Sequence, residues 1–221
     1  MIPLPLISLI ITSLERLFAL DLPVRIETKY IRKSSPKINV YYPIVTNLTH
    51  PAVEKKIKAD IIHELNKLLI EQGFYSEHLV EMVGTYEIKT NERGVLSLSL
   101  TVYSFTGGAH GLTITKSLTF DVKSGKQYVL SELFKPDSNY VKVLSDMIDK
   151  KMVEWDVPLL EDFTQIRSDQ DFYIADHSLV IYFQVYELTP YVYGFPYFPI
   201  IIKDIENIVR EGGILEKMIP F

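Results

Sequence analysis

Hydrophobic residues recur along this chain with two different periods, and each period predicts a different kind of element. The clearest two-residue period runs from Leu112 to Val122, where apolar residues alternate with Thr and Ser and only Lys116 interrupts the apolar face. Alternation of this kind is typical of an antiparallel strand with one face against a core and the other toward solvent. We therefore expect the hydroxyl-bearing face of this strand to be solvated.

Similar stretches predict the other strands. They are short, rich in Val, Ile, Tyr and Phe, and bounded by Gly, Pro, Asn, Asp or Ser, as strands in antiparallel sheets usually are. The predicted strands cover residues 24–31, 38–45, 79–90, 95–105, 112–122, 127–130, 172–175, 179–187 and 198–202.

A period of three to four residues predicts two principal helices. The first begins at Pro51, carries apolar residues from Val53 to Leu69 and ends before Gly73, which suits a left-handed cap. The second follows Pro136, with an apolar stripe from Tyr140 to Trp155. A short C-terminal helix is predicted over residues 204–210.

Consecutive strands with hairpin-length turns and singly inserted helices indicate an α+β fold with a mainly antiparallel β-sheet. No repeat or low-complexity linker divides the chain. We expect an apolar segment over residues 1–22, a first group of strands and helix over residues 23–105, and a second unit over residues 106–221 packed against it as one body.

Composition narrows the functional classes. The chain has 221 residues, 47% hydrophobic, a net charge of −5 and no cysteine. The absence of cysteine excludes disulfides, thiolate zinc sites and a cysteine nucleophile. The basic residues are scattered and the net charge is negative, so no nucleic-acid partner is expected.

The apolar N-terminal segment has two interpretations. It is too short for a membrane span, which needs about 20 apolar residues, because Glu15 and Arg16 interrupt it. One interpretation is the remnant of an export signal, and the other is a helix packed on its own domain. Membrane association is expected only through residues 1–20.

A glycine-rich stretch, Gly107-Gly108-Ala109-His110-Gly111, lies between two predicted strands. It matches neither the dinucleotide fingerprint nor a phosphate-binding loop, since no Lys-Ser/Thr follows and no helix begins there. Its glycines indicate a turn. His110 either fixes this turn through the neighbouring backbone or presents a ring nitrogen to a ligand.

A second candidate site lies downstream, where aromatic residues alternate with prolines. Such rings offer rigid contact area to a protein surface or a sugar face, or they close the core at the end of the sheet. Combined with the glycine loop, they give the predicted ligand-binding residues: Gly107, Gly108, His110, Tyr191, Tyr193, Phe195 and Tyr197.

No catalytic residue, metal site or cofactor is predicted. His63-Glu64 begins a zinc-protease-like pattern, but Lys67 stands where the second histidine is needed. Asp169 and Asp171 lack the spacing of a calcium loop. A lone His110 without a carboxylate or hydroxyl partner does not complete a catalytic constellation, so an enzyme is the less favoured interpretation.

Three segments carry a resemblance to a known family. Thr106-Gly107-Gly108-Ala109-His110-Gly111, the stretch from Leu118 to Phe134, and the stretch from Phe183 to Ile200 resemble domain-of-unknown-function family 3298. Upstream, Lys37-Ile38-Asn39-Val40-Tyr41-Tyr42-Pro43 and the following helix are similar to family 4163, which usually precedes it.

The resemblance implies a function. Domains of these families form the extracytoplasmic, lysozyme-binding part of an anti-sigma-V factor and the non-catalytic N-terminal region of PdaC-type peptidoglycan deacetylases. We therefore expect a non-catalytic extracytoplasmic binding or sensing module in the cell envelope, with a lysozyme-like protein or peptidoglycan as partner. The alternatives are a hydrolase of cell-wall material with an unrecognised site and a structural tethered domain. A packed helix at residues 1–20 would instead indicate the cytoplasm.

Exposed aromatic rings converging beside His110 would favour binding. A deep pocket that holds His110 with a buried carboxylate would favour catalysis.

Overall fold

The computed structural model describes residues 23–220, which form two sheets and three α-helices. The strands are β1 (Arg25–Lys33), β2 (Lys37–Thr46), β3 (Glu81–Glu92), β4 (Val95–Phe105), β5 (Leu112–Asp121), β6 (Lys126–Gln127), β7 (Phe172–Ala175), β8 (Ser178–Tyr182) and β9 (Tyr197–Ile201). The helices are α1 (Pro51–Glu71), α2 (Tyr140–Glu154) and α3 (Ile214–Lys217).

The first sheet has six strands in the order β1-β2-β3-β4-β5-β6. All neighbours are antiparallel except β2 and β3, which run parallel because α1 carries the chain back between them. The second sheet, β7-β8-β9, is antiparallel throughout. The predicted α+β class with a mainly antiparallel sheet is confirmed.

Helix α1 covers one face of the six-stranded sheet. Its buried stripe includes Ile57, Ile61 and Leu68, which pack in one cluster with sheet residues such as Leu98 and Phe120. Each such side chain contributes about 1.5–3 kcal/mol on burial. The helix ends as the sequence predicted, because Gly73 adopts a φ of +78° two residues past Glu71.

A second apolar cluster fills the space around the three-stranded sheet. Leu144, Ile148 and Met152 of α2 pack there with Phe198 of β9 and Leu215 of α3. The two clusters lie on different sides of the six-stranded sheet, which gives the molecule two cores.

The expectation of a solvated hydroxyl face on β5 is wrong. Thr115 and Thr119 are buried, as is Ser97 on β4, because the three-stranded sheet covers this part of the surface. The hydroxyls of Ser97 and Thr119 share a hydrogen bond of 2.8 Å, and the Ser97 oxygen accepts the N–H of Ile174 on β7. These bonds remove the cost of burying polar groups.

Some element bounds differ from the sequence prediction. The predicted helix over residues 204–210 is a 3-10 turn at Ile202–Ile205, and the C-terminal α-helix lies later, at α3. The strand predicted over 179–187 ends at Tyr182, because Gln184 turns its side chain to the backbone of Thr115 and Tyr186 takes a φ of +67°.

The predicted N-terminal segment, residues 1–22, lies outside the described residues. Within residues 23–220, no helix is long and apolar enough to cross a membrane. The division between 105 and 106 stays a prediction. β4 and β5, which flank this point, are paired in one sheet.

Candidate functional site

The glycine loop connects β4 to β5 and stands in solvent from Thr106 to His110. Gly107 and Gly108 adopt φ angles of +98° and +99°, and nothing lies within 4 Å of a Cβ placed on either. They are therefore required by the backbone conformation and not by packing. This confirms that the stretch forms a turn.

Gly111 has a different role, because it packs against neighbouring atoms. A Cβ at this position would lie 2.3 Å from the carbonyl oxygen of Ser104 and 2.4 Å from the ring of Tyr103. The Gly111 carbonyl also accepts a 3.3 Å hydrogen bond from the Tyr191 hydroxyl. The absent side chain thus lets the loop lie close to β4 and within reach of the downstream aromatic segment.

Three rings meet above this point. His110 stacks on Tyr191 with ring centroids 4.4 Å apart and planes at 29°, and Tyr186 lies 5.5 Å from Tyr191 at 35°. We call His110, Tyr186 and Tyr191 the ring cluster. Offset ring pairs at these distances contribute about 0.5–1.5 kcal/mol each beyond the area they bury.

Hydrogen bonds orient the imidazole of the ring cluster. His110 Nδ1 lies 2.9 Å from the Gly111 carbonyl oxygen, and Nε2 lies 3.5 Å from the Tyr186 hydroxyl. A neutral ring with its proton on Nδ1 satisfies both contacts, since Nδ1–H donates to the carbonyl and Nε2 accepts from the phenol. His110 thus contacts the neighbouring backbone and keeps an exposed ring.

Tyr186 reaches the ring cluster through a backbone conformation that residues with a side chain rarely adopt. Its φ of +67° lies in the left-handed region, which costs about 1–2 kcal/mol for a residue with a Cβ. About half of the side chain (49%) is exposed. Such strain persists where surrounding structure holds it and is frequent at binding sites.

An open cleft of about 570 Å³ lies beside the ring cluster. One wall is the end of α1, where Gln72 donates to the Val102 carbonyl over 3.1 Å and accepts from the Ser104 hydroxyl over 2.7 Å. Both Gln72 and Ser104 are buried, so this wall is fixed. The cleft is lined by Glu71, Gln72, Gly73, Ser76, His78, Ser104, Thr106, His110, Gly111, Leu112 and Tyr186.

A second, smaller cavity of about 370 Å³ also has Tyr186 in its lining. Its wall contains Glu187, whose carboxylate binds Arg167, the Gln170 amide and the backbone N–H of Gln184. The rest of the lining is the stretch from Leu160 to Gln165 together with Phe183 and Leu188. Tyr186 is common to both cavities.

The remaining aromatic candidates do not join the ring cluster. Phe195 and Tyr197 pack on each other at 6.2 Å, and Tyr197 contacts Tyr173 and Tyr182 at about the same distance. Tyr193, in the 3-10 turn that Tyr191 begins, is exposed. The structure therefore divides the predicted site residues between two places.

The tyrosines around Tyr197 are held neutral by their surroundings. Burial, followed by the nearby Tyr197 and Glu87, raises the pKa of Tyr173 to about 12. Burial also raises the pKa of Tyr197, and it raises that of Tyr182 strongly, with Asp171 adding to the effect. Tyr182 of this second aromatic group is fully buried, whereas Tyr197 is 39% exposed.

Two titratable side chains outside the cleft, His177 and Asp171, have structural contacts. His177 contacts the carbonyl of Met218 through Nδ1 at 2.6 Å, and Asp171 is bound by Lys116 and Gln184. Within residues 23–220, no carboxylate lies within hydrogen-bond distance of His110, and no group of three or more His, Asp or Glu is placed to hold a metal ion.

Sequence reasoning missed several residues of the cleft. Tyr186 belongs to the family-like stretch from Phe183 to Ile200, but nothing in its pattern separates it from the neighbouring tyrosines. Gln72 comes directly after α1, and Leu112 is the first residue of β5. Only the topology of the fold brings these two residues into one cleft. The position of Gly73 as a helix cap was the available signal that the chain turns here.

The geometry defines a class of protein: a two-sheet α+β domain with an open, ring-lined cleft at one end of its larger sheet. Two family models match the chain. Residues 31–113 match the model described as "Deacetylase PdaC", and residues 131–203 match "Protein of unknown function (DUF3298)". The resemblance predicted from the sequence is confirmed for both parts of the chain.

Two curated relatives agree with these matches. The chain is 28% identical over 193 residues to the anti-sigma-V factor RsiV of Bacillus subtilis (strain 168), covering 80% of this chain and 67% of that protein. It is 22% identical over 160 residues to the peptidoglycan-N-acetylmuramic acid deacetylase PdaC of the same organism. That match covers 68% of this chain and 34% of the deacetylase, so the chain spans about a third of that enzyme.

Two crystal structures share the fold. A DUF3298 family protein from Pseudomonas aeruginosa PAO1 has a TM-score of 0.67 at 14% identity, covering 91% of this chain and 99% of its own. A member of the same family from Bacteroides fragilis NCTC 9343 has a TM-score of 0.63 at 15% identity, covering 90% and 97%.

Proposed function

We propose that this protein is a non-catalytic extracytoplasmic binding or sensing module and that the ring cluster and its cleft hold the ligand. The ligand is an envelope-associated protein, such as a lysozyme-like protein, or a cell-wall glycan. The observation that carries the proposal is the convergence of His110, Tyr186 and Tyr191 beside an open cleft that His110 and Tyr186 line.

The chemistry of the cleft fits recognition. Stacked rings present flat apolar faces, and the adjacent hydroxyl and imidazole groups supply hydrogen bonds at the edge of those faces. This combination suits sugar rings and the aromatic or aliphatic side chains of a protein partner. The fixed wall around Gln72 and the backbone strain at Tyr186 support a site that is shaped before the ligand arrives.

The relatives support the envelope assignment. One relative's name gives peptidoglycan N-acetylmuramic acid as the substrate, and the other relative's name is that of a sigma-factor regulator. The match to the deacetylase covers a third of its length, which fits an accessory region. Cell fractionation of the full-length protein tests the location, and purely cytoplasmic material would contradict it.

Calorimetry against purified peptidoglycan fragments and against lysozyme tests the ligand. We expect one of them to bind, and Tyr186→Ala to weaken that binding about tenfold or more, because a central aromatic anchor is worth about 2 kcal/mol or more. Val153→Ala is the control, since Val153 is an exposed apolar residue on α2 that lines neither cavity.

The outcomes separate the alternatives. Absence of binding by either ligand at high micromolar protein contradicts the recognition proposal and leaves a structural tethered domain. Release of soluble fragments from peptidoglycan, abolished by His110→Ala but not by Val153→Ala, would instead identify a hydrolase.

A further inference from the structure

The edge of the six-stranded sheet away from the ring cluster is formed by β1. This nine-residue strand pairs with β2 on one side, and no strand pairs with its other side among residues 23–220. An edge strand of this length presents a row of N–H and C=O groups that a further strand can bind.

The charge of this edge is opposite to that of the whole chain. From Arg25 to Lys37 there are five basic residues and one acid, in a protein with a net charge of −5. Lys29 pairs with Glu27, and Lys37 pairs with Glu81. The other three, Arg25, Arg32 and Lys33, form no ion pair with any residue of the described part of the chain.

Arg32 is held in place by neutral groups. Its guanidinium carbon lies 4.7 Å from the Tyr30 ring centroid and 5.4 Å from that of Tyr41. Its Nε donates to the Asn39 side-chain oxygen over 3.3 Å, and Nη2 donates to the Tyr41 hydroxyl. Two of the five N–H groups of the guanidinium are used in this way. The guanidinium is therefore held in place and still has N–H groups that can donate to a carboxylate.

The sheet face around Arg32 is open. The strand registers place Arg32 opposite Asn39 and Asn39 opposite Val83, so these residues share one face, and Tyr30 lies opposite Tyr41 on the same face. Tyr30 and Val83 are 61% and 40% exposed. The three-stranded sheet therefore leaves this end of the larger sheet uncovered.

We propose that β1 is a docking edge for an extended acidic segment of another protein, which adds to the sheet as a further strand and places a carboxylate on Arg32. Basic residues on an edge strand also prevent edge-to-edge aggregation. Both effects have one cause: a second copy of β1 brings the same positive charge and is repelled, whereas an acidic strand is attracted.

The backbone distinguishes a peptide from other anions. A phosphate or glycan polymer can neutralise Arg32 and Lys33, but it cannot pair with the free N–H and C=O groups of the edge. An acidic peptide does both, which is the mode of binding called strand addition.

Fluorescence anisotropy with a labelled nine-residue peptide of alternating Glu and Val tests the proposal on the full chain. We expect binding that Arg32→Gln weakens about tenfold or more, because a bidentate carboxylate–guanidinium contact is lost. Lys55→Gln is the matched control: Lys55 is exposed on α1, and the loss of its charge changes binding less than about twofold. Urea unfolding of each variant verifies that it is folded.

A second peptide with every other backbone amide N-methylated keeps the charge and loses the strand pairing. We expect it not to bind, and we expect the unmodified peptide to slow hydrogen exchange in β1 but not in α1. Equal binding of the two peptides, unchanged binding by Arg32→Gln, or no binding at about 1 mM peptide would each overturn the proposal. Tyr186→Ala should bind this peptide normally, so failure here is separate from failure of the cleft.

Discussion

Ser97 of β4 accepts a hydrogen bond from the backbone N–H of Ile174 of β7 over 3.0 Å, and this bond joins the two sheets. The same hydroxyl is bonded to Thr119. The sheets therefore meet through a layer of paired polar groups, while the apolar clusters lie on either side of it.

Replacing this hydroxyl is expected to destabilise the protein. Ser97→Ala leaves the buried N–H of Ile174 without its partner, which costs about 1–3 kcal/mol of unfolding free energy. Urea titration followed by far-UV circular dichroism measures the loss. The exposed Ser131→Ala should change stability by less than about 0.5 kcal/mol; equal effects of the two substitutions would refute the role of Ser97.

The glycine loop should show two different sensitivities. The Cβ that Gly108→Ala adds has no atom within 4 Å, so only the strain of the positive φ should lower the unfolding free energy, by about 1 kcal/mol. Gly111→Ala places its Cβ against the Ser104 carbonyl and the Tyr103 ring and should cost about 3 kcal/mol. Thermal unfolding of both variants shows which one is less stable. A larger loss of stability for Gly108→Ala than for Gly111→Ala would contradict this account.

At position 186, glycine should be more stable than alanine. Both substitutions remove the ring, but only glycine relieves the left-handed backbone, a difference of about 1 kcal/mol. Chemical denaturation of Tyr186→Gly and Tyr186→Ala measures this difference. Both should lose ligand binding equally, and a less stable glycine variant would show that φ at this position is not strained.

Asp121 should make stability depend on acidic pH. Burial alone would raise its pKa, but the Lys217 ammonium at 2.8 Å and the hydrogen bonds from Ser124 hold the pKa below its usual value. Because the folded-state pKa is lowered, the stabilisation is complete above the unfolded value of about 3.9 and is lost as pH falls through the folded value.

Asp121→Asn tests this dependence. We expect it to cost about 1–3 kcal/mol near neutral pH and less as the pH falls below about 4, where the carboxyl becomes protonated first in the unfolded chain and then, at its lowered pKa, in the folded protein. The exposed Asp137→Asn serves as the control. Unfolding free energies at pH 6 and pH 2.5 provide the measurement, and a constant difference between wild type and Asp121→Asn would contradict it.

The sequence predicts secondary-structure elements better than it predicts which elements pack against each other. The bounds of β4 and the start of α1 follow from periodicity and from Pro51, because these signals depend only on nearby residues. The packing of the second sheet on the first does not follow from such local signals. The alternating hydroxyls of β5 fit solvent and a buried polar interface equally well, and only the packing of β7 on this face decides between them.

The candidate site shows the same limit. His110 and Tyr191 were predicted separately, from a glycine loop and from an aromatic segment, and the fold stacks them. Phe195 and Tyr197 carry the same sequence signal as Tyr191 but join another group. Tyr186 reaches the ring cluster because its φ is positive. No residue pattern predicts a positive φ at a non-glycine position.

Tyr186 is also the one lining residue that the cleft and the smaller cavity have in common. Because one side chain lines both spaces, we expect a change of its rotamer to alter both of them. A ligand that fixes the Tyr186 ring in the cleft would then also set the shape of the smaller cavity.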